Sequence, residues 1–444
     1  MSSKNLEQLS THSIGGGWGQ EAPDDKHTEK VAIIRGTDIP RITHGDVSSV
    51  PFRWETPSKV KSRLLQAGDI VIEVSGGSAA SGQHTGRALY ITQETLNRLG
   101  GSVIPASFCR LLRLDQMQID ARYLCFEIAG MHLSGEIAEY ENQSTGIANF
   151  QFTRFLSDVT PKIEVIEEQR EVATVLGALD DRITLLRETN KTLEAIAQAI
   201  FKSWFIDFDP VRAKMEVHAP AGMDQEIAVL FPDELVESEL GLVPKGWKVG
   251  SLSDLSDLNP ESWTARKRPD RLAYIDLANA KENVISELVE YVFDEAPSRA
   301  RRVLRSGDTI VGTVRPGNRS YAFICNPTNN LTGSTGFAVL RPARSENAEF
   351  IYLAATRDES IEKLAHLADG GAYPAVRPEV VAQLPCVIPS EIVMKTFHDV
   401  VDVLLKKVSN NQLAMQTLSD IRDSLIPKLI SGKLRIAEEL EAQI

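Results

Sequence analysis

The chain has 444 residues, 42% of them hydrophobic, with 48 Lys+Arg against 61 Asp+Glu and a formal net charge of −13. That length suggests two to four domains, and the apolar content supports real cores and excludes wholesale disorder. Taken as a whole, the acidity argues against a surface for nucleic acid, whose phosphates need basic partners.

No apolar run approaches the roughly 18 residues needed to cross a bilayer, so no membrane association is expected. The opening MSSKNLEQLSTHSIGGG lacks the charged and apolar regions of a secretory signal. Cys109, Cys125, Cys325 and Cys386 are widely separated, with no CxxC and no Cys/His ligand spacing. A zinc site or disulfide framework is therefore not expected, and a reducing cytoplasm fits best.

In chain order, Gly15–Gly17, Trp18 and Gly19 form a glycine cluster with no strand before it, read as a flexible entry loop rather than a phosphate cradle. VAIIRGTDI (31–39) reads as a strand. Lys59, Lys61 and Arg63 form a basic cluster, for which a solvated surface is an equal reading. LLQAGDIVIEV (64–74) reads as a Gly-Asp turn entering a β-branched strand.

The strongest pattern follows Pro161. Val172, Leu176, Leu179, Ile183, Leu186, Asn190, Leu193, Ala197, Ile200 and Trp204 alternate steps of four and three, a heptad seam. No proline interrupts 162–209, Glu167, Glu168 and Glu171 suit the first turns, and Pro210 ends the helix. The next segment, 208–241, is rich in proline and acid and reads as a linker with a loose short helix.

The second half repeats the first. LAYIDLANA (272–280) reads as the earlier strand and VLRSGDTIVGT (303–313) as the Gly-Asp turn and strand, 239 residues after its counterpart. Basic clusters lie at Arg266, Lys267, Arg268 and at Arg299, Arg301, Arg302, Arg305. Gly333-Ser334-Thr335-Gly336 is a groove-loop candidate, with an ordinary turn as the alternative. TLEAIAQAIF (192–201) matches TLSDIRDSLI (417–426) at an offset of 225, which also places Gly146 on Gly371. A second heptad seam takes Phe397, Val401, Leu404, Val408, Asn411, Met415, Leu418, Arg422, Leu425 and Leu429; Pro427 should kink its last turns and Gly432 terminate them.

Each seam covers about 33 residues, roughly 50 Å at 1.5 Å per residue. Pairing within the chain is the favoured reading, with separate oligomerisation helices as the alternative. If Asn190 faces Asn411 in an antiparallel pair, Leu193 meets Val408, Ile183 meets Leu418 and Trp204 meets Phe397. A buried Asn pair would fix register at some expense in stability.

The charge is spread unevenly along the chain. Residues 161–244 hold −9 of the −13, whereas 1–160 carry −3 and 245–384 carry none. The two candidate globular regions are near neutral, with clustered basic residues. No P-loop, dinucleotide fingerprint or amino-methyltransferase signature occurs, and the eight His are scattered. Nothing points to a catalytic residue, a cofactor or a metal.

Three stretches carry a resemblance: 175–217 (VLGALDDRITLLRETNKTLEAIAQAIFKSWFIDFDPVRAKMEV), LGLVPKGWKVGSLSDL (240–255) and SDIRDSLIPKLISGKLRI (419–436). They resemble the helical blocks of type I restriction–modification specificity subunits, in the right order around two dissimilar domains. The N-terminus departs from that pattern, with SIGGGWGQ where a VPKGW-type opening stands in the second half.

The resemblance implies a mixed α/β (α+β) fold with two target-recognition domains in a pseudo-twofold arrangement, separated by two long antiparallel coiled-coil helices. The expected divisions are 1–160 (first domain), 161–208 (central helix), 209–242 (linker), 243–384 (second domain), 385–436 (C-terminal helix) and 437–444 (acidic tail). It implies a non-catalytic subunit that recognises an asymmetric bipartite site in double-stranded DNA. Its partners would be two methyltransferase subunits and restriction/translocase subunits that cut DNA in an ATP-dependent way. A self-contained DNA-modifying enzyme and a coiled-coil adaptor are the alternatives. Candidate DNA contacts are Arg35, Arg41, Lys59, Lys61, Arg63 and Arg87 in the first domain. In the second they are Arg266, Lys267, Arg268, Arg301, Arg302, Arg315, Arg319, Ser334 and Thr335. Asn190 and Asn411 are the register candidates.

Overall fold

The computed structural model describes residues 4–76, 84–143, 148–371 and 373–436. Gly146 of the proposed repeat and the tail 437–444 lie outside the described residues. The chain divides into two compact units, Met1–Arg187 with Leu413–Ile444, and Glu188–Gln412. The unit boundaries fall inside the long helices rather than beside them. Each unit holds one sheet domain together with a segment of each helix, because the apolar helix faces are buried against that domain.

The first unit contains β1 (Ser10–Gly15), β2 (Glu29–Ile34), β3 (Phe52–Glu55), β4 (Ile70–Glu73), β5 (Ala88–Tyr90), β6 (Ser102–Pro105) and β7 (Cys109–Leu114). One antiparallel sheet has the order β1-β7-β4-β5, and a second has the order β3-β2-β6, with β2 and β6 parallel. Strand β4 is buried along its whole length, as expected of a continuous Ile-Val-Ile run between two packed layers. Helix α1 (Ala121–Ser134) is capped by Asp120, whose side chain accepts from Tyr123 N, and packs on the four-stranded sheet.

The glycine cluster near the start is part of this architecture and not a flexible loop. Gly15 ends β1, Gly17 bridges to Ala106, and Gly19 has φ +66°. A Cβ on Gly16 would sit 2.1 Å from the Ala106 carbonyl oxygen, so close backbone approach requires glycine there.

Helix α2 (Ile166–Phe205) follows and runs across the unit boundary. The second unit contains β8 (Ser256–Leu258), β9 (Arg271–Ile275), β10 (Ala280–Lys281), β11 (Val284–Ile285), β12 (Val289–Val292), β13 (Ala300–Val303), β14 (Thr309–Gly312), β15 (Tyr321–Phe323), β16 (Leu331–Ser334) and β17 (Phe337–Pro342). Its sheets are β8-β17-β14-β15 and β12-β9-β16-β13, with β9 and β16 parallel. This is the strand order of the first unit with one strand, β13, added to the edge. Helix α3 (Ala348–Thr356) stands where α1 does, and α4 (Glu391–Ile430) is the second long helix.

The repeated Gly-Asp motif has one structural purpose in both units. Gly68 (φ +93°) and Gly307 (φ +85°) make the tight turn. Asp69 then accepts from Gln66 N at 2.7 Å, and Asp308 from Arg305 N at 2.7 Å. Each carboxylate is also held bidentately by an arginine of a neighbouring strand, Arg113 at 2.7 Å and Arg341 at 2.9 Å. The same arginines reach Leu64 O and Val303 O, again equivalent positions. Both Asp residues are buried, so this pairing satisfies charges that burial would otherwise penalise.

Within the second unit the long helices run antiparallel, with Trp204 beside Phe397 (ring centroids 5.7 Å apart) and Asn190 beside Asn411. The buried line departs from the strict heptad at this end. Phe201, Phe205 and Leu405 are buried, while Ile200 and Leu404 are only partly so. A straight helix drifts from a 3.5-residue repeat, and Phe350 of α3 packs against Phe201 and Phe205 from that side. In the first unit, Leu176, Ile426 and Leu429 close an apolar cluster with Tyr123 and Phe126 of α1. Helix α4 continues through Pro427 to Ile430, and Gly432 follows with φ +67°.

The expected linker is packed structure. It forms short helices at Asp209–Met215 and Gln225–Ala228 and a hairpin of Leu235–Ser238 with Gly241–Pro244. Val211 and Phe231 are buried, and Phe231 stacks edge-on against Trp204 at 5.1 Å. Apolar residues scattered through an acidic segment were enough to anchor it.

Candidate nucleic-acid interface

In the first unit most of the candidate basic side chains are engaged by acids of the same unit. Arg35 pairs with Asp38 at 2.8 Å, Arg41 with Asp46 at 2.5 Å and Lys59 with buried Glu55 at 3.2 Å. Arg87 clamps buried Glu73 with two bonds of 2.8 and 2.7 Å, and Arg63 donates to Gly15 O at 2.9 Å. Lys61 is exposed on the Pro57–Arg63 helix and has no acidic partner among the described residues.

The cluster Lys59, Lys61, Arg63 is therefore one helical turn whose members differ in availability. Two further basic residues of this unit, paired with aromatic rings, were missed by sequence reasoning. Arg53 lies over exposed Trp18 at 5.0 Å and Lys30 over exposed Phe52 at 5.3 Å, across the paired strands β2 and β3. Their one sequence signal is an aromatic–basic alternation, FRW, at 52–54.

The second unit brings more of its candidates together. Arg268 and Arg301 flank the Phe293 ring at 4.8 and 4.9 Å. Arg268 also pairs with Asp294, and Lys267 with Glu261 at 3.0 Å. Glu261 gathers Arg305 first, then Lys267 and Arg341, and the first of these hydrogen bonds does most to hold its carboxyl down at about 2.

Arg302 differs from its neighbours. It lies on β13, its Nη1 donates to Ser262 Oγ at 3.3 Å, and its Nε is buried without a partner among the described residues. Burial lowers its pKa, and it has no carboxylate partner among the described residues. Arg266 is exposed and likewise has no acidic partner among the described residues.

Arg315 and Arg319 sit apart from this group. They flank the turn Pro316–Asn318, both with positive φ (+47° and +59°). Arg315 covers the Tyr373 ring at 4.8 Å, and Arg319 pairs with Asp358 at 2.7 Å. Ser334 requires a correction. It is the last residue of β16 and fully buried, so it offers nothing to a duplex. The sheet extends further than the Gly-Ser-Thr-Gly string suggests, and Thr335 is the exposed hydroxyl at the turn.

Asn190 and Asn411 are buried together. Asn411 Nδ2 donates to Asn190 Oδ1 at 2.7 Å, and Asn190 Nδ2 donates to Val408 O at 3.1 Å. The corresponding polar tie in the first unit is ionic: Arg422 donates to Asp180 at 2.6 Å.

Among the described residues one cluster has metal-ligand composition, Glu349, His398 and Asp402. His398 Nδ1 lies 2.6 Å from Glu349 Oε2, and Lys406 pairs with Asp402 at 2.7 Å. These partners already balance the two carboxylates, so the cluster reads as a tie between α3 and α4. The four cysteines are free thiols, and burial raises the pKa of each. None has the electropositive surroundings of a reactive thiolate. Among the described residues no helix is long and apolar enough to cross a membrane.

No protein-family profile matches the chain. It is 25% identical over 358 residues to the type I restriction enzyme HindI specificity subunit of Haemophilus influenzae, covering 68% of this chain and 76% of that one. It is 26% identical over 277 residues to the type I restriction enzyme MjaIX specificity subunit of Methanocaldococcus jannaschii, covering 61% and 60%. Among solved structures, the type I restriction-modification S subunit from M. genitalium aligns over 96% of this chain and 95% of that one, at 13% identity and a TM-score of 0.49. The chain is a homologue of type I restriction enzyme specificity subunits.

Proposed function

We propose that this chain is the DNA-recognition subunit of a type I restriction–modification complex. The two sheet domains would each read one half of an asymmetric bipartite target. The long helices would hold them apart and dock two methyltransferase subunits, to which restriction/translocase subunits can be added. Catalysis would reside in those partners, so the chain needs no cofactor or metal of its own, and a reducing cytoplasm suits its four thiols.

The observation that carries this reading is the duplicated pair of sheets, same strand order in both units, each joined to segments of two long helices. An enzyme would not need its fold twice with different surfaces, whereas a reader of two unlike half-sites does. The coiled-coil adaptor reading leaves the two sheet domains without a role.

The expected DNA-facing charges are narrower than the basic clusters. Among the described residues, Lys61 and Arg266 have no internal acid to satisfy. Arg302 is a half-buried cation short of an acceptor, which a phosphate or base edge would supply. The paired arginines, Arg35, Arg41 and Arg87 above all, would shape loops. With most candidate cations already paired inside the chain, tight binding should require the methyltransferase partners.

The test is binding of labelled duplex by the purified chain, alone and with those partners, across a salt series. Strong, salt-dependent binding is expected only for the complex. Lys61→Ala or Arg266→Ala should make the salt slope shallower by about 0.9 for each phosphate the side chain neutralises. No binding by the complex at any salt would sink the proposal.

A further inference from the structure

The hairpin of β10 and β11 turns through Glu282 and Asn283, both with positive φ, +46° and +63°. Two left-handed residues in succession make a type I′ turn, and Asn is one of the few side chains that enter that region readily. Asn283 is only 6% exposed.

Each of its four hydrogen-bonding groups has a partner. Its backbone N–H donates to Tyr321 O at 2.9 Å and its Oδ1 accepts from Phe323 N at 2.9 Å, both on β15. Its Nδ2 donates to Glu194 Oε1 at 2.5 Å on α2. Its carbonyl accepts from Gln412 Nε2 at 2.7 Å on α4. One buried residue thus ties the sheet domain to both long helices, and the half-buried Glu194 carboxylate depends on it.

We propose that Asn283 is a positioning residue that locks the second sheet domain in one register on the long helices. It thereby sets the spacing at which that domain reads its half-site; the spacing claim rests on the function proposed above. The lock follows from the geometry. Sliding the domain by one helical residue, about 1.5 Å, breaks the bonds to Glu194 and Gln412 together and takes the Asn283 donor away from the Glu194 carboxylate. Base pairs repeat about every 3.4 Å along a strand, so a slip of two residues is nearly one base pair.

The test uses the full chain in its complex. Asn283→Gly keeps the left-handed turn and removes Oδ1 and Nδ2. Amide exchange at residues 280–285 and Phe323 should rise roughly tenfold, while β14 and β17 stay protected. Methylation should spread to sites with spacers one base pair longer or shorter, with both half-site sequences unchanged. Gln412→Ala, which leaves the turn intact, should act the same way more weakly and covers the case in which Asn283→Gly fails to fold. Glu194→Gln retains an acceptor and should keep a single spacer.

Unchanged exchange in both Asn283→Gly and Gln412→Ala would overturn the lock. Faster exchange with one unaltered spacer, or altered half-site bases, would overturn the spacing claim. Absence of any bipartite methylation by the wild-type complex would instead reject the functional reading, and the exchange result would still judge the lock.

Discussion

The two units share a strand order but join their helix segments by different chemistry. In the second unit the helices meet through an aromatic cluster, Phe201, Trp204, Phe205 and Phe397, above the neutral Asn190–Asn411 pair. In the first they meet through smaller aliphatic residues and the Arg422–Asp180 ion pair. Attachment of the sheet domain differs as well. Arg187 reaches His44 O with a bond of 3.1 Å in the first unit, whereas Asn283 engages both helices in the second. A duplicated fold preserves what builds the sheets, such as the Gly-Asp turn with its arginine, and varies what fixes each domain to the helices.

The largest expected effect comes from the aromatic cluster. Phe397 is fully buried among Phe201, Trp204 and Phe205, so Phe397→Ala should destabilise the second unit by about 3–5 kcal/mol. Denaturant melts read by Trp204 and Trp247 fluorescence measure this. A loss below about 1 kcal/mol would mean that the aromatic cluster does not hold this end together.

The first unit should instead be sensitive to pH. Glu127, 1% exposed, is pushed up to about 7 by burial, against weaker opposing help from Lys162 N and Tyr123. Its folded pKa lies above the unfolded value of 4.5, so its protonated form favours folding. That contribution is full below pH 4.5 and is lost as pH rises through about 7. Glu127→Gln should remove a loss on the order of 3 kcal/mol across that window. Urea melts of both proteins from about pH 4 to 8 decide it, and parallel pH profiles would contradict it. Glu349, the buried glutamate of α3, has His398 as partner and should respond less steeply.

The Asn pair should give the smallest change. Asn190→Leu orphans the Asn411 amide and should lower stability by about 1–3 kcal/mol, and replacing both by Leu should recover it. Equal stability of both single variants and the double variant would show that the pair fixes nothing. The matching ionic tie predicts that Asp180→Asn, unlike Asn190→Leu, loses less at high salt.

The long helices and the duplicated Gly-Asp strands were legible because they rest on periodicity and local turn chemistry. Asn190 and Asn411 stood out as polar entries in apolar seams. The residues that finish those patterns were not legible. Arg113 and Arg341 lie tens of residues from the aspartates they clamp, and nothing local marks them. Phe201 and Leu405 are buried in place of Ile200 and Leu404, and Phe205 is buried beside Trp204, where Phe350 of a third helix packs on Phe201 and Phe205. The site was legible only as clusters of charge, since availability depends on partners distant in sequence. Arg87 and Arg35 pair with buried carboxylates, Ser334 is buried at the end of a strand, and Arg302 lies on a strand with no carboxylate partner among the described residues.

We propose that one chain reads two unlike half-sites for a methyltransferase. Sequencing of methylated bases in the host genome, before and after deletion of this gene, tests it most directly. One asymmetric bipartite motif should disappear on deletion and return with the intact gene. Persistence of every methylated motif after deletion would contradict it.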